Sequence, residues 1–301
     1  MNHRRALATL VALVVVSLAQ GEAGDGTEGS SATGPPCREL QPFSGVDTRG
    51  GLSLYDDMFV LPGTWSEQYR GEETEVVFQL SAKLRVARTH LFFGYTQVSF
   101  WQLFNGAESR PFRETNYNPQ LFYRFTPTAD RSGNWVVDVG IDHQSNGQNE
   151  PGSRSWNRAY GTLHYQTPRH LLSMRLWYRI PEKECPLGDD GLEEEWCRDD
   201  PSYDDNPRIA DYLGHSEVRY RYHWTGGWRP QRIQLRLHGN PVTGKGGVGL
   251  DYSVAAGSRD LHWFVKAWSG YGESLIDHDR SVTRVGLGLL LRRTVEVDGE
   301  E

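Results

Sequence analysis

The chain has 301 residues and a formal net charge of −7, with no basic stripe, which argues against nucleic acid as a partner. Beyond the first twenty residues no apolar run is long enough to cross a bilayer as a helix, so a helical membrane protein is excluded. A transmembrane β-barrel is not excluded, because its strands alternate, and the 10 Trp, 14 Tyr and 11 Phe would supply its interfacial girdles.

In chain order, Met1–Arg5 is polar and basic, and Ala6–Ala19 is apolar. That is the pattern of a signal peptide (residues 1–19), cleaved after Ala19 or, alternatively, Ala23. The apolar stretch falls short of the ~20 residues a spanning helix needs. Residues 20–49 are rich in Gly, Ser, Glu and Pro and read as a disordered leader. From residue 50 to about 293, runs of strand length alternate apolar and polar residues, and a polar tail, 294–301, follows.

Val76, Phe78, Leu80 and Ala82 oppose Glu75, Val77, Gln79, Ser81 and Lys83, and Leu172, Met174, Leu176 and Tyr178 oppose Ser173, Arg175, Trp177 and Arg179. The same alternation recurs at Val218–Trp224, Ile233–Leu237, Val248–Val254, Leu261–Ala267 and Val285–Leu291, with further runs near Leu52–Leu61, Leu91–Leu103 and Asn116–Phe125. A soluble sandwich also alternates, but long strands, aromatic rims and an export signal together fit a barrel better. The fold expected is an all-β, twelve-stranded antiparallel transmembrane barrel with lipid outside and a charged, hydrogen-bonded lumen.

Cys185 and Cys197 bracket the acidic segment 186–196. An exported protein meets an oxidising compartment, where a loop-stapling bridge is plausible. The other reading is two free thiols, and Cys37 is left over in either case.

On the strand around residue 139, Trp135, Val137, Val139 and Ile141 share a face that His143 and Ser145 continue. On the next run Ser153, Ser155, Asn157, Ala159, Gly161, Leu163 and Tyr165 share a face. Each apolar face thus ends in residues of the types needed for a nucleophile, a base and a group that orients the base. By spacing alone, an ordinary polar cluster at a barrel rim explains them better, because clusters of residue types are weak signals.

The block His143-Gln144-Ser145-Asn146-Gly147, with Pro151 and Ser153–Arg158, resembles the signature of the outer membrane phospholipase A family. So do Phe112–Leu121, Asp204–Pro207 and Tyr271–Asp277, in the family's order. The resemblance implies a twelve-stranded outer-membrane barrel that hydrolyses acyl esters of glycerophospholipids and lysophospholipids (A1/A2 activity), calcium-dependent and active as a homodimer. It implies Ser145 as nucleophile, His143 as general base and then acid, and Asn157 as the residue that fixes His143. It implies Ca2+ bound by Ser153 and the backbone at Gln148, with Ser109 supplied by the other subunit, and a second calcium position at Asp205. The segment Lys183–Tyr203 is longer than the family's usual turn and carries the cysteine pair.

Two alternatives follow from the same sequence. One is a catalytically silent outer-membrane barrel, a pore or structural protein, opposed by the many charges assigned to a small lumen. The other is a soluble β-sandwich lipase, which would need a Gly-x-Ser-x-Gly elbow that does not flank Ser145.

Overall fold

The computed structural model describes residues 46, 51–126, 135–149, 151–186, 197, 203–224, 229–257 and 260–292. The expected signal peptide 1–19, the leader apart from Val46, Cys37 and the polar tail 294–301 lie outside the described residues. Thirteen strand segments make one antiparallel sheet: β1 (Leu52–Leu54), β2 (Met58–Ser66), β3 (Val76–Arg85), β4 (Leu91–Trp101), β5 (Phe112–Phe125), β6 (Trp135–Ser145) and β7 (Ser155–Gln166), followed by β8 (His170–Ile180), β9 (Ser216–Trp224), β10 (Gln231–Asn240), β11 (Lys245–Ala255), β12 (Leu261–Gly270) and β13 (Val282–Leu291). From β2 onward each strand pairs with its neighbour in sequence, and β13 returns to pair with β2, closing the sheet on itself.

The closed barrel has twelve strands, because β1 and β2 are two parts of the first one. Leu52–Leu54 lie opposite Leu84–Ala82 of β3, and Phe59–Leu61 lie opposite Gln79–Val77 along the same edge. The sequence pattern suggests a single run from Leu52 to Leu61, and the structure breaks it at Tyr55–Asp57. The reason is electrostatic. Asp56 accepts from Arg219 at 2.6 Å and Arg221 at 2.8 Å, and Asp57 accepts two hydrogen bonds from Arg232 at 2.8 and 2.7 Å. A regular strand sends consecutive side chains to opposite faces. Two adjacent carboxylates can both reach lumenal guanidiniums only if the strand is interrupted.

The faces sort as the alternation predicts, apolar outward and polar inward. Val139, Ile141 and Leu176 are 51%, 55% and 64% exposed, while Lys83, Arg124, Asp138 and Asp142 are buried. This inversion of a soluble protein is stable only where lipid replaces water outside the sheet. Inside, charges are paired: Arg124 grips Asp138 through two hydrogen bonds at 2.7 and 2.6 Å, and Arg158 grips Asp142 at 2.8 and 3.1 Å.

The lumen is less uniformly polar than the sequence reading expects. Phe59, Leu61, Val77, Phe100, Phe264 and Leu290 form one buried cluster, and Phe92, Phe122 and Tyr160 another. The Arg124 guanidinium lies 5.4 Å from the Phe92 ring and 5.3 Å from the Phe122 ring, so the aromatics face the lumenal cations directly. A cavity of about 270 Å³ remains inside. A barrel of this size filled in this way is not a wide channel.

Strand β5 begins at Phe112, four residues before the run read from sequence. Its first turns are charged and look like a loop until their partners are seen. Arg113 donates to Asp277 at 2.7 Å and also pairs with Glu75, while Glu114 accepts from the Ile276 N–H at 2.9 Å and Asn116 from the Leu275 N–H at 3.1 Å. The β12–β13 connection therefore folds over the barrel mouth. Trp156, Ile209 and Leu275 pack together beneath it, Ile209 coming from the short helix α1 (Ile209–Leu213). The three longest connections, β4–β5, β8–β9 and β12–β13, lie at this end of the barrel. In outer-membrane barrels that is the external end.

Candidate active site

Strand β6 ends at Ser145 and β7 starts at Ser155, so the residues singled out from sequence sit at the mouth. His143 is paired directly with Asn157 across the ladder, and Ser145 with Ser155. The alternation that points Val139 and Ile141 outward continues through His143 and Ser145, placing all three candidate side chains on the lipid side. His143 Nδ1 lies 2.9 Å from Asn157 Oδ1. Ser145 is a same-face neighbour of His143, two residues on, but among the described residues its hydroxyl makes no hydrogen bond. Catalytic contacts of this kind commonly tighten only when substrate is present.

The backbone here is locally irregular. The β5–β6 ladder pairs Tyr117 with Ser145 and Gln120 with Asp142, and omits the two rungs between them. Pro119, which faces His143 in that register, has no N–H to give. The Asn118 side-chain amide donates to the His143 carbonyl at 2.9 Å instead. Behind the site, Gln144 accepts from Trp156 Nε1 at 3.0 Å and from Arg158 at 3.2 Å, anchoring both strands on the lumenal side.

The β6–β7 connection is knotted by Asn146. Its side-chain oxygen accepts from the backbone N–H of Arg154 at 3.0 Å and of Gln148 at 3.3 Å, and its amide donates to the Gly152 carbonyl at 2.8 Å. Gly147 turns the chain immediately after the serine with φ +65°, and a Cβ there would meet the Tyr117 ring at 3.1 Å. Sequence reasoning did not assign Asn146 a role. Its place in the quoted block was the available signal.

Of the four residues expected to hold calcium, the structure joins two. The Ser153 hydroxyl donates to Asp205 Oδ2 at 2.7 Å, and Asp205 Oδ1 accepts from the Ser155 N–H at 2.8 Å. Gln148 lies in the same connection, its side chain donating to the Arg113 carbonyl at 3.0 Å. Ser109 is exposed in the β4–β5 connection and makes no hydrogen bond to Gln148, Ser153 or Asp205 of its own chain. Among the described residues no group of three or more His, Cys, Asp or Glu side chains gathers to hold a metal ion. A hydroxyl, a carboxylate and a backbone carbonyl are hard oxygen donors, which suit calcium.

Asn157 has a second partner that the sequence did not reveal. Its amide Nδ2 donates to Glu182 Oε1 at 2.8 Å. Burial pushes the Glu182 carboxyl above its ordinary value, with nearby Asp204 adding to the rise and the Asn157 hydrogen bond opposing it. Glu182 follows the last residues of β8 and opens the long β8–β9 connection, where a lone acid carries no spacing signal. Cys185 is disulfide-bonded to Cys197, so of the two readings of that pair the structure has the bridge.

A closed antiparallel barrel with an apolar exterior and a charged interior is an outer-membrane protein. At one end of that exterior a serine, a histidine and an asparagine stand on adjacent strands, His143 within hydrogen-bond distance of Asn157. The family model for phospholipase A1 matches residues 55–291. The chain is 38% identical over 238 residues to phospholipase A1 of Salmonella typhimurium, covering 75% of this chain and 72% of the relative. Among solved structures it resembles outer membrane phospholipase A from Escherichia coli, with TM-score 0.67 and 33% identity over 80% of this chain and 91% of that one. An active-site mutant of the Escherichia coli enzyme, with an asparagine replaced by alanine, matches at TM-score 0.66 and 33% identity over 79% and 91%. The outer membrane phospholipase of Salmonella typhi, a dimer with bound calcium, matches at TM-score 0.68 and 31% identity over 85% and 98%. The chain belongs to the phospholipase A1 family and is a phospholipase of the bacterial outer membrane.

Proposed function

We propose that the chain hydrolyses acyl esters of glycerophospholipids and lysophospholipids with Ser145 as nucleophile, His143 as general base and acid, and Asn157 as the group that orients the imidazole. The observation that carries this reading is the 2.9 Å contact between His143 Nδ1 and Asn157 Oδ1, with Ser145 next on the same outward face. Asn157 Oδ1 can only accept, so Nδ1 holds the imidazole proton and Nε2 is free to take one from Ser145. Ser145 Oγ then attacks the ester carbonyl, and the proton held by His143 passes to the departing lysolipid alcohol. Water, deprotonated by the same imidazole, releases the fatty acid from Ser145. A lipid-facing site suits this chemistry because the acyl chains of the substrate stay in lipid or against the apolar strand faces throughout. That the Escherichia coli relative has an asparagine in its active site supports the assignment of Asn157.

Calcium supplies, when bound, a positive charge that polarises the ester carbonyl and offsets the oxyanion. Ser153 and the Gln148 carbonyl would hold it, with Ser109 contributed by a second copy of the chain, and Asp205 would serve a second calcium position beside it. The calcium-bound dimer of the Salmonella typhi relative supports both the ion and the homodimer. Residues 1–19 are proposed as the export signal, the barrel as residues 50–293. The test is fatty-acid release from phospholipid vesicles by the refolded barrel. Hydrolysis that requires calcium and is lost in Ser145→Ala is expected, and full activity of that variant would overturn the reading.

A further inference from the structure

Asn157 is an ambiguous residue to place beside a catalytic imidazole. An amide has a carbonyl at one end and an NH2 at the other, and a flip exchanges them at almost no steric cost. With Oδ1 toward His143, Nδ1 must carry the proton and Nε2 is a base. With Nδ2 toward His143, Nδ1 must accept, the proton moves to Nε2, and the imidazole cannot deprotonate Ser145. An aspartate at this position would have no such choice.

The structure removes the choice from the other side. Glu182 Oε1 lies 2.8 Å from Asn157 Nδ2, and an ionised carboxylate only accepts hydrogen bonds. The NH2 end of Asn157 is therefore held toward Glu182 and the carbonyl end toward His143. The carboxylate is itself held in place. Ile180 pairs with Asn157 across the β7–β8 ladder, two residues before Glu182. On its other side, Lys183 is bridged to Tyr203, the Asp204 N–H donates to the Lys183 carbonyl at 2.8 Å, and the disulfide starts at Cys185.

We infer that Glu182 is a positioning residue of the catalytic site: it fixes the orientation of the Asn157 amide and, through it, the tautomer of His143 that can act as a base. This rests on the Ser145–His143–Asn157 assignment above. It adds a carboxylate one group further out, where its negative charge also polarises the amide carbonyl toward the imidazolium formed during turnover, part of what a neutral asparagine alone lacks.

The test is a double-mutant cycle on phospholipid hydrolysis with Glu182→Ala, Glu182→Gln, Asn157→Ala and the Glu182→Ala/Asn157→Ala pair, each checked for barrel folding by heat-modifiable gel mobility. Glu182→Ala is expected to lower kcat about tenfold, the scale of one charge-assisted hydrogen bond, with KM unchanged. Glu182→Gln keeps an acceptor for the amide and should recover to within about threefold of wild type. In the Asn157→Ala background, Glu182→Ala should cost nothing further, because the group it acts through is gone. In 15N spectra of the imidazoles, the His143 signal should move from the Nδ1–H form toward a mixture of tautomers in Glu182→Ala. Unchanged kcat in a folded Glu182→Ala variant, or the same loss with and without Asn157, would overturn the role of Glu182 and leave the triad standing. Wild-type activity in Asn157→Ala would instead overturn the triad.

Discussion

Ser153 donates its hydroxyl hydrogen to Asp205 at 2.7 Å, tying the loop that follows the proposed nucleophile to the far end of the β8–β9 connection. Two oxygens that arrive from positions 52 residues apart in the chain thus meet beside Ser155, whose N–H holds the same carboxylate.

If calcium sits among these oxygens, Ser153→Ala and Asp205→Ala should each raise the calcium needed for half-maximal hydrolysis. A shift of about 10–100-fold is the scale seen when groups that shape a metal site are lost. Activity titrated in calcium buffers measures it, and an unchanged half-saturation point in both folded variants would remove these residues from the site. Magnesium should replace calcium poorly, because it prefers a smaller octahedral shell and gives up water reluctantly.

Ser109 makes no hydrogen bond to Gln148, Ser153 or Asp205 of its own chain, and in the proposed site it comes from a second copy. Specific activity should fall as the protein is diluted in detergent, in step with loss of dimer measured by chemical crosslinking. Constant activity down to demonstrated monomer would contradict the dimer.

His143→Ala should be far more damaging than Asn157→Ala. Removing the proton acceptor costs about 10²–10⁴-fold in rate, whereas removing its orienting partner still lets the imidazole visit the working tautomer. Initial rates of fatty-acid release on folded variants decide this, and equal losses would give Asn157 more than an orienting part.

Behind the site, Asp142 accepts from Arg158 at 2.8 Å and also pairs with Arg175, all inside the barrel. Asp142→Ala leaves the buried Arg158 and half-buried Arg175 guanidiniums without this carboxylate and should destabilise the barrel by about 3–5 kcal/mol. Urea unfolding in detergent or vesicles checks the loss, and a midpoint within error of wild type would contradict it.

Most of the fold was legible in the sequence because a barrel writes its two environments into alternate residues. Phe78, Leu80 and Ala82 read as lipid-facing, Gln79, Ser81 and Lys83 as lumenal, and the structure places them so. The break at Tyr55–Asp57 was not legible, since it depends on Arg219, Arg221 and Arg232, which lie more than 160 residues away in the chain. The early start of β5 was hidden for the same reason, its charges being answered by Glu75, Ile276 and Asp277. The pairing of His143 with Asn157 could be read because both lie at strand ends on one face of adjacent strands. Glu182 could not, because its position depends on how the chain leaves β8, and nothing in the spacing announces it.

The central claim is that Ser145, beside His143 on the lipid face, is the nucleophile. It is tested most directly by treating the active barrel with a serine-directed sulfonyl reagent and mapping the adduct by mass spectrometry of peptides. The account predicts a single sulfonylated residue, Ser145, with hydrolysis lost in proportion to labelling and no labelling in His143→Ala. An adduct on another serine that accompanies inactivation, or full labelling of Ser145 with activity retained, would contradict it.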